Sequence, residues 1–394
     1  MEASVEDILF FMGYALLLIW RIVLSSVLAF PEGSFLNTCI HIIVLGLLFA
    51  STVSAFRNHH GLSPYFSAII LGIVIKICTG SMLFFDLSIL LLAARGRSFR
   101  SICVATILIS GITIAVIVGL ALGGVIENYP FTRGDKIRWG LGFRWTTLLS
   151  HYYLNLVMVY FYIRKTRITA IELVAVLTID FLIYHATNSR NSFILVLVIV
   201  AAAILYRSSS KTLRLKMNPL KKMFAQYAPI ILVIGFFAAS AAYSPESTLL
   251  RNANEVMSNR LQQTHESIQR YGLKPFGSEI EWAAKGVIDM GEDAPSNKQG
   301  DVNYVDNSFI ELLLNEGYIP FLFVMGWIIA AGAWAAKHEG WFVCLCLFVI
   351  ALHSTLDPQL LLVEYNTFLF LIMRMSIGEI SSWKSKRLQR PEEY

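Results

Sequence analysis

Apolar residues fall in long blocks along this chain, separated by short polar turns. A block of about 15–25 apolar residues spans a bilayer as one helix. At these lengths a helix bundle is the arrangement that satisfies the backbone in lipid. The pattern predicts about twelve membrane segments, within a range of roughly eleven to thirteen. They fall near 8–30, 35–56, 64–79, 82–94, 101–126, 145–163, 169–186, 191–206, 223–243, 308–335, 341–355 and 359–374. Those at 64–79, 82–94 and 341–374 are short enough to be broken or re-entrant. The fold class is therefore all-α and polytopic.

The longest polar stretch divides the chain. About nine helices precede it over 1–243, the stretch itself runs over 244–307, helices resume over 308–374, and a basic tail follows over 375–394. Ser244-Pro245 followed by Glu246 reads as a helix cap with proline in the first turn. Ala253, Val256, Met257, Leu261, Thr264, Ile268 and Tyr271 then recur at three and four, which predicts one amphipathic helix. Arg260 falls on its apolar stripe. Arg270 lies off it, four residues from Glu266, a spacing suited to an ion pair. Gly272 ends the helix. The run over 286–303 reads as a surface loop.

Composition agrees with the pattern. Hydrophobic residues make up 56% of the 394 and charged residues only 15%, against about a quarter charged in a soluble domain. The start of the chain lacks the basic flank of a cleavable signal, so the first block reads as a retained helix. Lys and Arg gather in alternate loops: Arg57, Arg95 to Arg100, Arg164 to Arg167, Arg207 to Lys222, Lys337 and the tail from Lys384. The positive-inside rule makes these cytoplasmic, with both termini inside and the loops at 127–144 and 244–307 outside. The long outer loop carries ten Asp and Glu against six Lys and Arg over 244–306. The five cysteines all lie in apolar segments, with no Cys/His spacing for zinc or redox work. No phosphate-binding glycine loop, HExxH or nucleophile elbow is present, and nothing points to nucleic acid. The basic tail suits anionic lipid.

Charges inside apolar blocks require partners or a wet cavity. Arg21, Asp180 and Glu364 are of this kind, and Lys76 and Asp86 flank a short turn where they could pair. Several arginines also gather at the outer level: Arg133, Arg138, Arg144, Arg190, Arg251, Arg260 and Arg270. The planar guanidinium grips phosphate through paired charge-assisted hydrogen bonds, so converging arginines suit a lipid-linked diphosphate. His353 and Asp357 fall at the outer turn before Pro358, where they read as ordinary polar turn residues or as lining of the same cavity.

Two stretches carry a family resemblance. RLQQTHESIQRYGLKPFG (260–277) resembles the arginine, helix, YG and FG pattern of bacterial repeat-unit polymerases. YVDNSFIELLLNEGYIPF (304–321) resembles their DNS, apolar run and glycine motif. Together they are similar to the Wzy-type polymerases of capsule and exopolysaccharide pathways, the Gram-positive ones in particular. Related O-antigen ligases carry H-[NSQ]-x9-G-x-x-[GTY] at this place. The chain keeps Asn307 and Gly317 at that spacing, but has Asp306 in place of the His and Pro320 at the last position, which favours polymerase over ligase. Asn188 to Val200 resembles the family's Arg-x-Ser helix opening. GLGFRWTTLLSHYYLN (140–155) is similar to the family's GF-x-H-P-N stretch, with Arg144-Trp145 in place of the expected residues.

The resemblance implies transfer of a growing glycan from undecaprenyl diphosphate to the non-reducing end of a new lipid-linked repeat unit. It implies a bacterial plasma-membrane enzyme without metal or other cofactor, active at the outer face. Undecaprenyl-diphosphate-linked glycans and membrane lipids would be its partners, with a chain-length regulator and a flippase in the same pathway. The leaving diphosphate needs positive charge, for which Arg190 and Arg260 stand first and Arg144 and Arg270 behind them, with Asn307 and Tyr271 as further substrate contacts. The attacking hydroxyl needs a base, with His265, Asp306 and Glu281 as candidates. Asp306 can equally cap the helix that follows it. Three rivals remain. A ligase is one. A polyprenyl-phosphate glycosyltransferase is another, though it calls for an acidic pair in a large first outer loop that here holds only Glu32. A flippase is the third, though repeated halves with matching broken helices are absent.

Overall fold

The computed structural model of the chain describes residues 4–31, 33–58, 63–133, 136–209, 218–280, 282 and 305–373. Glu281, the 286–303 run and the tail from residue 375 lie outside the described residues. In chain order the helices are α1 (Val5–Leu24), α2 (Phe35–Asn58), α3 (Ser63–Thr79), α4 (Leu83–Ala94), α5 (Phe99–Leu122), α6 (Leu148–Arg164), α7 (Ala170–Thr187) and α8 (Arg190–Ser208). They continue with α9 (Pro219–Ala241), α10 (Thr248–Val256), α11 (Arg260–Tyr271), α12 (Ser308–Glu311), α13 (Tyr318–His338) and α14 (Trp341–Ser354).

Local chemistry sets several of these starts. Ser4 accepts from the Asp7 amide, Ser98 from Ser101, and Asn218 from Lys221 ahead of Pro219. Thr169 and Glu172 form a full capping box. Among the described residues, seven helices are long and apolar enough to cross a membrane: α1, the Phe35–Ser54 part of α2, α5, α7, α8, α9 and α13. They keep large apolar side chains uncovered by protein, such as Ile171, Phe181, Leu205 and Ile231. Lipid is the solvent for such a face, so the chain is a membrane-embedded helical protein. The shorter α4, α6 and α14 lie inside this framework, and α6 packs against α5, α7 and α8. Its buried face includes His151 and Asn155.

The structure departs from the sequence expectations in five places. The loop before α6 holds a two-stranded hairpin, β1 (Pro130–Arg133) against β2 (Lys136–Trp139), in register Phe131 with Arg138. The amphipathic stretch after residue 247 is two helices, because Ser258 and Asn259 take left-handed φ of 55° and 66° and turn the chain. Its cap is Ser247, which accepts from the Leu250 amide, rather than Ser244. The segment expected over 308–335 is broken: α12 widens into a π-turn over Leu312–Glu316, and Gly317 at φ 102° restarts the chain as α13. The segment expected over 359–374 is irregular and buried up to a 3-10 turn at Thr367–Phe370.

Charged groups also find partners other than those expected. Asp86 meets His41 at 3.0 Å and Arg21 at 3.9 Å, not Lys76. Arg270 lies with its guanidinium 5.7 Å from the Tyr271 ring centre, while Glu266 accepts from Gln262.

The break at Gly317 is closed by the stretch that follows α11. The amides of Tyr318 and Ile319 donate to the carbonyls of Lys274 and Pro275 at 3.0 and 3.1 Å, and the Ser278 amide donates to the Leu314 carbonyl at 3.1 Å. These amides open α13 and have no partner in their own helix. The approach leaves no room for a side chain at the Phe276-Gly277 step, where a Cβ on Gly277 would stand 2.1 Å from the Asn315 carbonyl oxygen. Gly277→Ala should therefore lower stability by at least about 1–3 kcal/mol through overlap alone. In contrast, Gly46→Ala, where a Cβ meets nothing within 4 Å, should be neutral or stabilising. Thermal unfolding of the two variants in detergent compares them.

Candidate functional site

Three irregular pieces of backbone meet at the start of α11: the turn at Ser258-Asn259, residues 305–308 ahead of α12, and the turn after α14. Asn307 organises the second piece. Its Oδ1 accepts from the amides of Phe309 and Ile310 at 2.8 and 3.1 Å, and its Nδ2 donates to the Thr355 carbonyl at 2.9 Å. Asn307, and not Asp306, is thus the helix cap, and its amide side chain both accepts and donates there, as an ionised carboxylate cannot. Ser308 donates to the Asp357 carbonyl at 2.6 Å and accepts from the Leu360 amide at 3.0 Å. Asn155 on α6 closes the far end of the turn, donating to the Glu364 carbonyl at 3.1 Å and accepting from the Thr367 amide at 3.1 Å.

Arg260 joins all three pieces. As the first residue of α11, it donates from Nε to the Leu356 carbonyl at 2.7 Å and to the Asp306 carbonyl at 3.3 Å, and from Nη1 to the Met257 carbonyl at 3.2 Å. Its Nη2 faces two carboxylates, Asp306 Oδ2 at 3.4 Å and Asp357 Oδ1 at 3.9 Å. The Asp306 side chain is 41% exposed and that of Asp357 only 11%, so the guanidinium stands between an open carboxylate and a closed one.

Behind Arg260 lies a buried polar group that periodicity alone does not reveal. His151 of α6 and His353 of α14 each place Nε2 3.5 Å from the Asp357 carboxylate, on Oδ1 and Oδ2 respectively. Asn191 in the first turn of α8 donates to Oδ2 at 3.2 Å, and Ser192 Oγ stands 3.5 Å from His353 Nε2. Burial pushes the Asp357 carboxyl up from its ordinary range, while His353 and then Arg260 draw it back down. Beneath the histidines is a cavity of about 10 Å³, lined among others by His151, His353, Gln359, Tyr365 and Asn366. That is room for roughly one water.

The other site residues expected from sequence are placed less centrally. Arg190 opens α8 and is exposed, and it is its neighbour Asn191 that enters the cluster. Arg144 donates to the Ser26 carbonyl beyond the end of α1 at 3.0 Å. Arg270 and Tyr271 lie at the opposite end of α11, where Tyr271 packs edge-on to Trp282. His265 is engaged with the Ser240 carbonyl at 3.0 Å and with the Gln269 amide at 2.8 Å, one turn beyond Arg260 on α11. Glu281 lies outside the described residues. The expectation of converging arginines therefore reduces to Arg260 with Asp306 and Asn307. His151, Asn191 and Gln359 are additions. The sequence carried one faint signal for them: the i, i+4 spacing of His353 and Asp357 before Pro358.

Ser308→Ala removes a donor and an acceptor from buried backbone groups. Its expected cost is about 1–3 kcal/mol, together with faster amide hydrogen exchange at Leu360. Exchange unchanged at Leu360 would count against the turn being held in this way. No protein-family model, no curated protein and no solved structure matches the chain.

Proposed function

We propose that the protein is a membrane glycosyltransferase, a polymerase that joins undecaprenyl-diphosphate-linked repeat units at the outer face of a bacterial plasma membrane. In this reading about twelve segments cross or enter the bilayer. The seven long helices are joined by the shorter α3, α4, α6 and α14 and by the irregular stretch after α14. Both termini are cytoplasmic, and the site lies at the outer membrane level. The observation that carries the reading is Arg260: a guanidinium held by carbonyls of three separate segments, with an open carboxylate beside it. It is also the arginine that begins the stretch resembling the repeat-unit polymerases.

The chemistry follows from that arrangement. The acceptor hydroxyl attacks the anomeric carbon of the donor glycan. A new C–O bond forms, the bond to the diphosphate breaks, and undecaprenyl diphosphate leaves with the electron pair. The hydroxyl proton passes to a base, for which Asp306 is the exposed carboxylate at the site. Arg260 meets the negative charge developing on the diphosphate. Its Leu356 contact at 2.7 Å is short, whereas its carboxylate contacts at 3.4 and 3.9 Å are long. A diphosphate can take up the Nη2 donors while Nε stays anchored. Little reorganisation is then needed when charge develops.

The test uses purified full-length protein in detergent, with the lipid-diphosphate oligosaccharide extracted from the cells that make it. A ladder of evenly spaced products is expected. Arg260→Ala should lower the rate by about 10²–10³-fold and Asp306→Asn by about 10²–10⁴-fold. Arg260→Lys should fail to rescue, because an ammonium lacks the fork that reaches three segments at once. A ladder that survives Arg260→Ala would remove Arg260 from the chemistry. One added glycan on a non-repeating acceptor would indicate a ligase, and no product from the wild type would overturn the transfer reading.

A further inference from the structure

We propose that His151, His353 and Asp357 form a binding site for one divalent first-row transition metal of the zinc class. The three residues are 3%, 7% and 8% exposed. They arrive from α6, from the last turn of α14 and from the turn after it. One ligand atom from each lies within 4.8 Å of the others. Two imidazoles and one carboxylate are a donor set that zinc accepts.

The spacing argues for an ion over hydrogen bonding. Both His Nε2 atoms stand 3.5 Å from the nearer Asp357 oxygen. That is beyond the roughly 2.7–3.2 Å of a good N–H···O bond. Two ligands each about 2.0–2.2 Å from a tetrahedral ion are themselves roughly 3.3–3.5 Å apart. The rings meet edge to face with centroids 4.6 Å apart, and the ligand atoms, within 4.8 Å of one another, would close in on a shared centre when an ion binds.

A second observation points to the same place. Beside this cavity the buried Asn366 Oδ1 lacks a hydrogen-bond partner among the described residues, while the His151 and Gln359 side chains interact with each other. The Asn366 amide is fixed in orientation, because its Nδ2 donates to the Leu360 carbonyl at 2.7 Å. Its bare oxygen therefore calls for a donor. The cavity of about 10 Å³ suits one water in the fourth metal position, donating to Asn366. Asn191 donating to Asp357 Oδ2 at 3.2 Å orients the carboxylate, as groups outside the ligand set do at metal centres.

Arg260 is the rival cation, at 3.9 Å from Asp357 Oδ1. Its stronger bonds go to backbone carbonyls, so it keeps its place beside an ion. The ion would tie α6 and α14 to the irregular turn and perform no step of the glycan transfer. Metal binding stands or falls separately from the transfer reading.

The experiment adds cobalt(II) or zinc to metal-stripped full-length protein in detergent, purified without a polyhistidine tag. The wild type should take up one ion per chain and show the intense visible bands of low-coordinate cobalt, which zinc bleaches. The double variant His151→Gln/His353→Gln should lose the bands, as should Asp357→Asn, while His41→Gln and His338→Gln keep them. Asn191→Ala should weaken uptake about 10–100-fold and decides the matter if the ligand variants fail to fold. A wild type that takes up no ion, bands that persist in the double variant, or uptake unchanged in Asn191→Ala would each overturn the site.

Discussion

A backbone that leaves the helical ladder inside an apolar bundle must find other partners for its N–H and C=O groups. The rest of this site depends on that constraint. The turn after α14 runs from Thr355 to Asn366 without regular structure, although most of its side chains are buried. Asn155, Asn307, Ser308 and Arg260 each bond to its backbone. Those four residues lie on α6, ahead of α12, at the first residue of α12 and at the start of α11. Satisfying one irregular turn therefore draws three distant parts of the chain to one point.

The same requirement explains what became of the outer arginines. Arg138 donates to the Thr187 carbonyl at 2.7 Å, at the end of α7. Arg144 donates to the Ser26 carbonyl past α1, and Arg260 to the Leu356 carbonyl past α14. Each meets backbone acceptors at or just beyond a helix C-terminus, where carbonyls lack intrahelical donors and the dipole favours a cation. These arginines are thus first a set of ties for helix ends. Arg260 in addition stands between two carboxylates, one open and one buried.

Helix positions were legible because length and apolarity determine them: α4 and α14 begin and end within a residue of the expected 82–94 and 341–355. The stretch Leu360–Val363 misled because a short apolar run reads the same whether it is helix or buried irregular chain. Pro358 and the side-chain bonds from Ser308 and Asn155 decide it, and those partners are far away in sequence. The hairpin at 130–139 escaped notice for its brevity, four residues to a strand. Arg260, Asp306 and Asn307 were legible through the stretches that contain them. His151 and Asn191 also lie in stretches that carry the resemblance, 140–155 and 188–200, but nothing along those stretches singles them out from their neighbours. No metal spacing was visible either, because a cluster assembled from α6 and α14 has no fixed spacing along the chain.

The order of the contacts around Arg260 gives the site its direction. On the inner side, Asp357 is enclosed by His151, His353 and Asn191. On the outer side, Asp306 is open. Between them the guanidinium is fixed by its edge to carbonyls, so it cannot follow either carboxylate closely, and both contacts stay long. A cation held short of its counter-ions keeps more of its field for a third anion than one locked in a bidentate pair. The α12 segment beside it cannot supply that field, since it makes one short turn before widening into the π-turn. Among the described residues, Arg260 brings positive charge to this site, in a position set by the backbone it satisfies.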